Sequence, residues 1–138
     1  MSGFRRFEDI EAWQQARRVM NSVKSACIAA RSARDFGLVD QICRAARSTQ
    51  NNIAEGFGRG SDAAFISFLD IARGSATETQ SMLYEMLDSS YIERQKFDEM
   101  YADSEKLLSL IAGLERYLKT NFRKRQREKP DQKEEPGN

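Results

Sequence analysis

The chain carries no proline between Met1 and Lys129; both of its prolines, Pro130 and Pro136, fall among the last nine residues. Proline removes a backbone donor and clashes with the preceding turn, so its absence over so long a stretch leaves helix open everywhere. The same stretch is rich in Ala, Leu, Arg, Gln and Glu, which lose little on entering a helix. No alternating run of Val, Ile and Thr argues for a strand. Glycine supplies the punctuation, at Gly37 and then in Gly56-Phe57-Gly58-Arg59-Gly60 before Ser61.

Apolar spacing predicts four helices. The first covers about Phe7 to Ala33, with Ile10, Trp13, Ala16, Met20, Val23, Cys27 and Ala30 recurring every three or four positions. The second covers about Leu38 to Glu55, with Leu38, Ile42, Ala45, Ala46, Thr49 and Ile53 on one side. The third begins at the N-cap Ser61 and carries Phe65, Phe68, Leu69, Ala72, Ala76, Leu83, Met86 and Leu87. The fourth runs from about Arg94 to Phe122 through Phe97, Tyr101, Leu107, Leu108, Ile111, Leu114 and Leu118. Short connections between long helices make neighbours antiparallel. The predicted fold is therefore all-α, an up-down-up-down antiparallel four-helix bundle over residues 7–122. A short N-terminal arm, 1–6, precedes it. The nearly apolar-free segment 123–138 is expected to be a charged flexible tail.

Composition removes several function classes. There is no His, so the usual neutral-pH base, the Ser-His and Cys-His pairs and the commonest metal ligand are missing. Two Cys cannot build a four-thiolate zinc site or a disulfide framework. We expect no catalysis, no metal and no cofactor. No apolar stretch follows the basic start Met1-Ser2-Gly3-Phe4-Arg5-Arg6, and none approaches a bilayer span, so the expectation is a cytoplasmic protein that does not meet the membrane.

The net charge is only +1, yet its distribution is uneven. Residues 1–60 hold ten basic and six acidic side chains, 61–118 hold five and eleven, and 119–138 hold seven and four. In an up-down bundle this makes the side formed by the first two helices positive and the opposite side negative. Such a molecule can bind copies of itself head to tail, and repeated contacts close into a ring when the rotation allows. Two independently solvated faces are the competing explanation.

Three constellations invite a chemical reading. Gln41, Arg44, Ser48, Asn52 and Glu55 share one face of the second helix, and Arg73-Gly74-Ser75-Ala76-Thr77-Glu78 follows on the third, where Gly74 and Ser75 would admit another backbone. Glu55 and Glu78 resemble a carboxylate pair, but a di-iron bundle needs His beside its glutamates. A hydrogen-bonded network fixing helix register or a subunit contact is the favoured reading. Arg17, Lys24 and Arg31 recur every seven positions, and Arg44 and Arg47 join that side. Such a stripe can follow a phosphate backbone, a plain solvated face being the alternative. A second basic cluster is Arg123-Lys124-Arg125-Gln126-Arg127-Glu128-Lys129. Cys27 and Cys43 lie eight residues either side of Asp35 and fall at similar heights in an antiparallel hairpin. They read as small buried hydrophobes, with redox sensing second. Trp13 lies at an apolar phase and reads as core.

The segment Phe7-Glu8-Asp9-Ile10-Glu11-Ala12-Trp13-Gln14-Gln15-Ala16 is followed by Gly37-Leu38 and Gln41-Ile42-Cys43-Arg44-Ala45-Ala46-Arg47-Ser48. Then come Asn52-Ile53-Ala54-Glu55-Gly56-Phe57-Gly58-Arg59 and Phe68-Leu69-Asp70-Ile71-Ala72-Arg73-Gly74-Ser75-Ala76-Thr77-Glu78. This order of motifs resembles the small four-helix-bundle family named for proteins encoded in 23S rRNA intervening sequences, over about Phe7 to Leu118. Gln50 stands where that family usually has proline, which is expected to straighten the second helix. The resemblance implies a ring-shaped homopentamer of bundles. The accessory variability proteins of diversity-generating retroelements are similar, and they bind nucleic acid and a reverse transcriptase. The resemblance thus implies a non-enzymatic nucleic-acid or ribonucleoprotein accessory module, with RNA or DNA and a reverse transcriptase as partners. Asn52, Glu55, Ser75 and Glu78 would carry the family's polar motif, as structural or interface residues. Arg17, Lys24, Arg31, Arg44 and Arg47 are the residues expected to meet phosphate. The alternative is a structural scaffold that binds a protein partner and has no nucleic-acid role.

Overall fold

A computed structural model of the chain describes residues 3–128. A 3-10 turn at Phe7–Asp9 leads into α1 (Glu11–Ala26), α2 (Ile28–Ser32), α3 (Phe36–Gly58), α4 (Asp62–Asp88) and α5 (Arg94–Glu128). Among the described residues there is no strand. α1 and α2 together form the first rod of an antiparallel four-helix bundle, in which α3 packs between that rod and α4, and α5 between α4 and α1. The predicted bundle is therefore the observed one.

The first rod is segmented where a single helix was expected. Ile10 is extended (φ −78°, ψ 118°) and only 1% exposed, so the chain steps out of helix there to sink that side chain into the core. The Phe7 and Trp13 rings meet edge to face at 5.0 Å, and Gln14 Nε2 donates to the Glu8 carbonyl at 2.8 Å, which holds the step. Trp13 is half-buried against the core. At Cys27 the rod changes from α1 to α2, yet hydrogen bonding continues across it: Cys27 N–H donates to Val23 and Arg31 N–H to Cys27.

All three corners place a residue in the left-handed region: Arg34 (φ 60°), Gly60 (φ 81°) and Ser90 (φ 61°). Gly37, expected to mark the first turn, instead lies inside the first turn of α3, and Arg34 makes the reversal. Asp35 caps α3 by accepting from Leu38 N–H at 3.3 Å, and its other oxygen accepts from the Tyr91 hydroxyl at 3.0 Å. That hydrogen bond pushes the Tyr91 phenol above its ordinary pKa, because its proton is held by a carboxylate. Ser61 caps α4 as expected, accepting from Ala64 N–H at 3.2 Å. Gln50 sits inside an unbroken α3.

α5 runs six residues past its expected end at Phe122. Nothing from Arg123 to Glu128 breaks a helix, and Arg125 reaches back to Asp62 of α4 at 3.0 Å. Arg123–Glu128 is therefore helix and not tail; the rest of the expected tail lies outside the described residues. The core is aliphatic: Ile42, Ile53, Leu69, Leu107, Ile111 and Leu118 are all 1% exposed or less. No described helix is long and apolar enough to cross a membrane.

Candidate nucleic-acid interface

Two grooves of opposite sign flank α3. On its α1–α2 side lies a groove of about 470 Å³ lined by Lys24, Arg31, Val39, Asp40, Cys43, Arg44 and Arg47. Antiparallel packing brings Lys24 and Arg31, two turns apart on the first rod, opposite Arg44 and Arg47 on α3. Four of the five expected phosphate-binding residues thus share one concavity. Arg17 does not line it; it is exposed about 10 Å further along α1, at 1.5 Å per residue.

All four lining cations are exposed, and among the described residues none has a carboxylate within ion-pair distance. Like charges held around a concavity focus a positive potential there, which a polyanion relieves. Asp40, also exposed, is the one carboxylate in the lining. It was not anticipated, although it stands one turn before Arg44 and was readable from that spacing. The Cys27 thiol is buried; that burial first, and Cys43 next, push its pKa from 9.0 to about 11, against the opposing pull of Arg31. The two cysteines do meet at one height, as their spacing about Asp35 suggested, and both are reduced.

On the α4 side of α3 the second groove, of about 410 Å³, is lined by Asp35, Gln41, Glu78 and Glu85 among others. Three of the four residues of the polar motif, Asn52, Ser75 and Glu78, join a hydrogen-bonded α3–α4 seam within one chain. Asn52 Nδ2 donates to the Ser48 carbonyl at 2.8 Å and to Ser48 Oγ at 3.0 Å, and Ser48 and Ser75 hydroxyls meet at 2.8 Å. Gln41 Nε2 donates to Glu78 Oε1 at 2.8 Å. Glu55 takes no part in the crossing: it pairs with Arg59 at 2.9 Å, whose guanidinium covers the Phe68 ring at 5.1 Å.

Glu55 and Glu78 do not converge. Glu78 is bonded to Gln41, which lies about 21 Å from Glu55 along α3 at 1.5 Å per residue. The carboxylate-pair reading therefore has no site, and no described cluster of His, Cys, Asp or Glu is placed to hold a metal ion. The expected close approach also falls elsewhere. Gly74 is exposed with nothing near it, whereas a Cβ at Gly56 would stand 2.7 Å from Phe68 Cβ. Of the stripe on α3, Gln41 and Ser48 bond to α4 and Asn52 bonds to Ser48, while Arg44 lines the basic groove.

The α4–α5 seam holds two buried acids that sequence reasoning missed. Glu115, 3% exposed, lies 3.8 Å from Arg73 and 3.7 Å from Lys119. Asp62, 6% exposed, pairs with Arg125. Their apolar flanks, such as Ile111 and Leu118 or Phe65, set the phase that buries them.

An antiparallel four-helix bundle with a polar α3–α4 seam and a basic α1–α3 groove is the class these features define. The profile described as 23S rRNA-intervening sequence protein matches residues 8–113, and the chain belongs to that family. A solved structure from Bacteroides thetaiotaomicron, a protein of unknown function from the S23 ribosomal protein family, is similar, with 24% identity and a TM-score of 0.69. The similarity covers 76% of this chain and 95% of that one, and it carries the fold alone. No curated protein matches the chain significantly.

Proposed function

We propose that this protein is a non-catalytic, cytoplasmic, homo-oligomeric accessory module that holds a nucleic-acid backbone in the groove between α1–α2 and α3. The convergence of Lys24, Arg31, Arg44 and Arg47 on that groove carries the reading. Phosphate contacts of this kind are sequence-tolerant and give binding its salt dependence. The groove offers no aromatic stacking platform, so a backbone is what it fits. The oppositely charged groove on the other side of α3 supports the second half of the reading, a head-to-tail ring, for which the family resemblance suggests five copies. A reverse transcriptase is the protein partner that the same resemblance suggests.

The test is a titration of single-stranded RNA at two salt concentrations. With four phosphates neutralised, log K should fall with log salt at a slope of about −3, at roughly 0.7 per contact. Arg44→Glu with Arg47→Glu should abolish binding while circular dichroism stays helical, since both side chains are exposed. Absence of affinity at low salt, or affinity indifferent to salt, would overturn the proposal.

A further inference from the structure

Twice on this surface a phenylalanine ring lies under a guanidinium that a carboxylate one helical turn away holds in place. Arg59 stands over Phe68 at 5.1 Å and is paired with Glu55; Arg94 stands over Phe97 at 5.5 Å and is paired with Asp98. The ring face and the carboxylate both attract the cation. The α4–α5 seam holds a third arrangement of this kind without its cation. Tyr84 of α4 is 49% exposed and packs on Phe97 and Tyr101 of α5, with ring centroids 4.9 and 6.0 Å away. Asp88 lies one turn beyond Tyr84, and Glu105 one turn beyond Tyr101. Gln80 Nε2 donates to Glu105 Oε1 at 2.6 Å, which fixes that acid across the seam. Both acids are exposed, and among the described residues neither has Lys or Arg within ion-pair distance. No described cation stands over the Tyr84 ring either.

We propose that the Tyr84–Tyr101 ledge, with Asp88 and Glu105, docks an arginine-rich segment of a partner protein, one guanidinium of which stacks on Tyr84. Charge supports that occupant: residues 77–105 hold eight acidic side chains against two basic, so the seam draws cations and repels polyanions. The chemistry favours arginine over lysine. A guanidinium is planar, weakly hydrated and able to stack while its edge bonds a carboxylate, whereas an ammonium keeps its water. The seam lies across the bundle from the basic groove, so this docking does not depend on what that groove holds. A second copy of the chain is the competing occupant, and it would make Tyr84 matter to assembly.

The experiment is fluorescence anisotropy of labelled hexa-arginine and hexa-lysine peptides titrated with the full chain, with no nucleic acid present. The arginine peptide should bind about fivefold more tightly than the lysine peptide. Tyr84→Leu keeps an apolar side chain over Phe97 but removes the ring, and should erase that preference; Tyr84→Phe should retain it. Asp88→Asn with Glu105→Gln should weaken both peptides. Equal affinity of the two peptides for the wild type, or a preference that survives Tyr84→Leu, would overturn the proposal. So would affinities unmoved by the double amide variant, or a light-scattering mass that changes in Tyr84→Leu. The wild-type comparison stands whether or not the variants fold.

Discussion

Gly56 and Gly74 both lie within helices, and only one of them needs to be glycine. A methyl group at Gly56 would meet Phe68 Cβ at 2.7 Å and Phe65 Cδ1 at 3.1 Å, so α3 and α4 could not stay so close. Gly56→Ala should lower stability by about 1–3 kcal/mol in urea unfolding, the overpacking outweighing the better helix propensity of alanine. Gly74→Ala meets nothing and should raise stability by up to about 1 kcal/mol in the same measurement. The sequence expectation placed the close approach at Gly74 and Ser75 because two small residues in a row admit another backbone. Where two helices cross is set by their relative register, which no single-helix pattern contains. Cys27 provides a pH signature. Its folded pKa, about 11, lies above its ordinary 9.0, so the unfolded chain loses this proton first as pH rises. Stability should be complete below pH 9 and fall between about 9 and 11, by at most about 2 kcal/mol. Thermal melts across that range should show the drop in the wild type and a smaller one in Cys27→Ala.

Corners and helix ends were the least legible elements. Arg34, Gly60 and Ser90 occupy the same left-handed position after three successive helices, and only Gly60 announces itself by type. A non-glycine residue there costs about 1–2 kcal/mol, partly offset by the greater freedom glycine brings to the unfolded chain. Arg34→Gly and Ser90→Gly should therefore each add about 0.5–1 kcal/mol in urea unfolding, and Gly60→Ala should subtract a similar amount. The N-cap Ser61 was readable because a short hydroxyl before an apolar-periodic run has one use. The end of α5 was not, because the sequence loses its apolar face at Phe122 while the helix is continued by propensity and by Arg125 on Asp62. Sequence periodicity likewise hides Glu115, a charged residue at a core phase. Glu115→Met should be neutral or mildly stabilising, since the ion pairs it makes are long and their desolvation is unfavourable.

At the scale of the molecule, bundle topology followed from helix count and short connections, and it alone decided which stripes would face one another. That is why the meeting of Lys24, Arg31, Arg44 and Arg47 on one side could be read in advance, while the sorting of the α3 stripe between two grooves could not. The charge division makes a testable statement about assembly. If ion pairs between opposite grooves contribute substantially, light scattering should show a mass that falls as salt is raised toward 1 M, where the screening length is about 3 Å. A further consequence follows from Asp35, whose two oxygens serve the α2–α3 and α4–α5 connections at once. A single carboxylate thus works as a common hasp for both, so local fraying there is a joint event. Amide protons of the two segments should exchange with deuterium at matching rates, and Asp35→Ala should quicken both together.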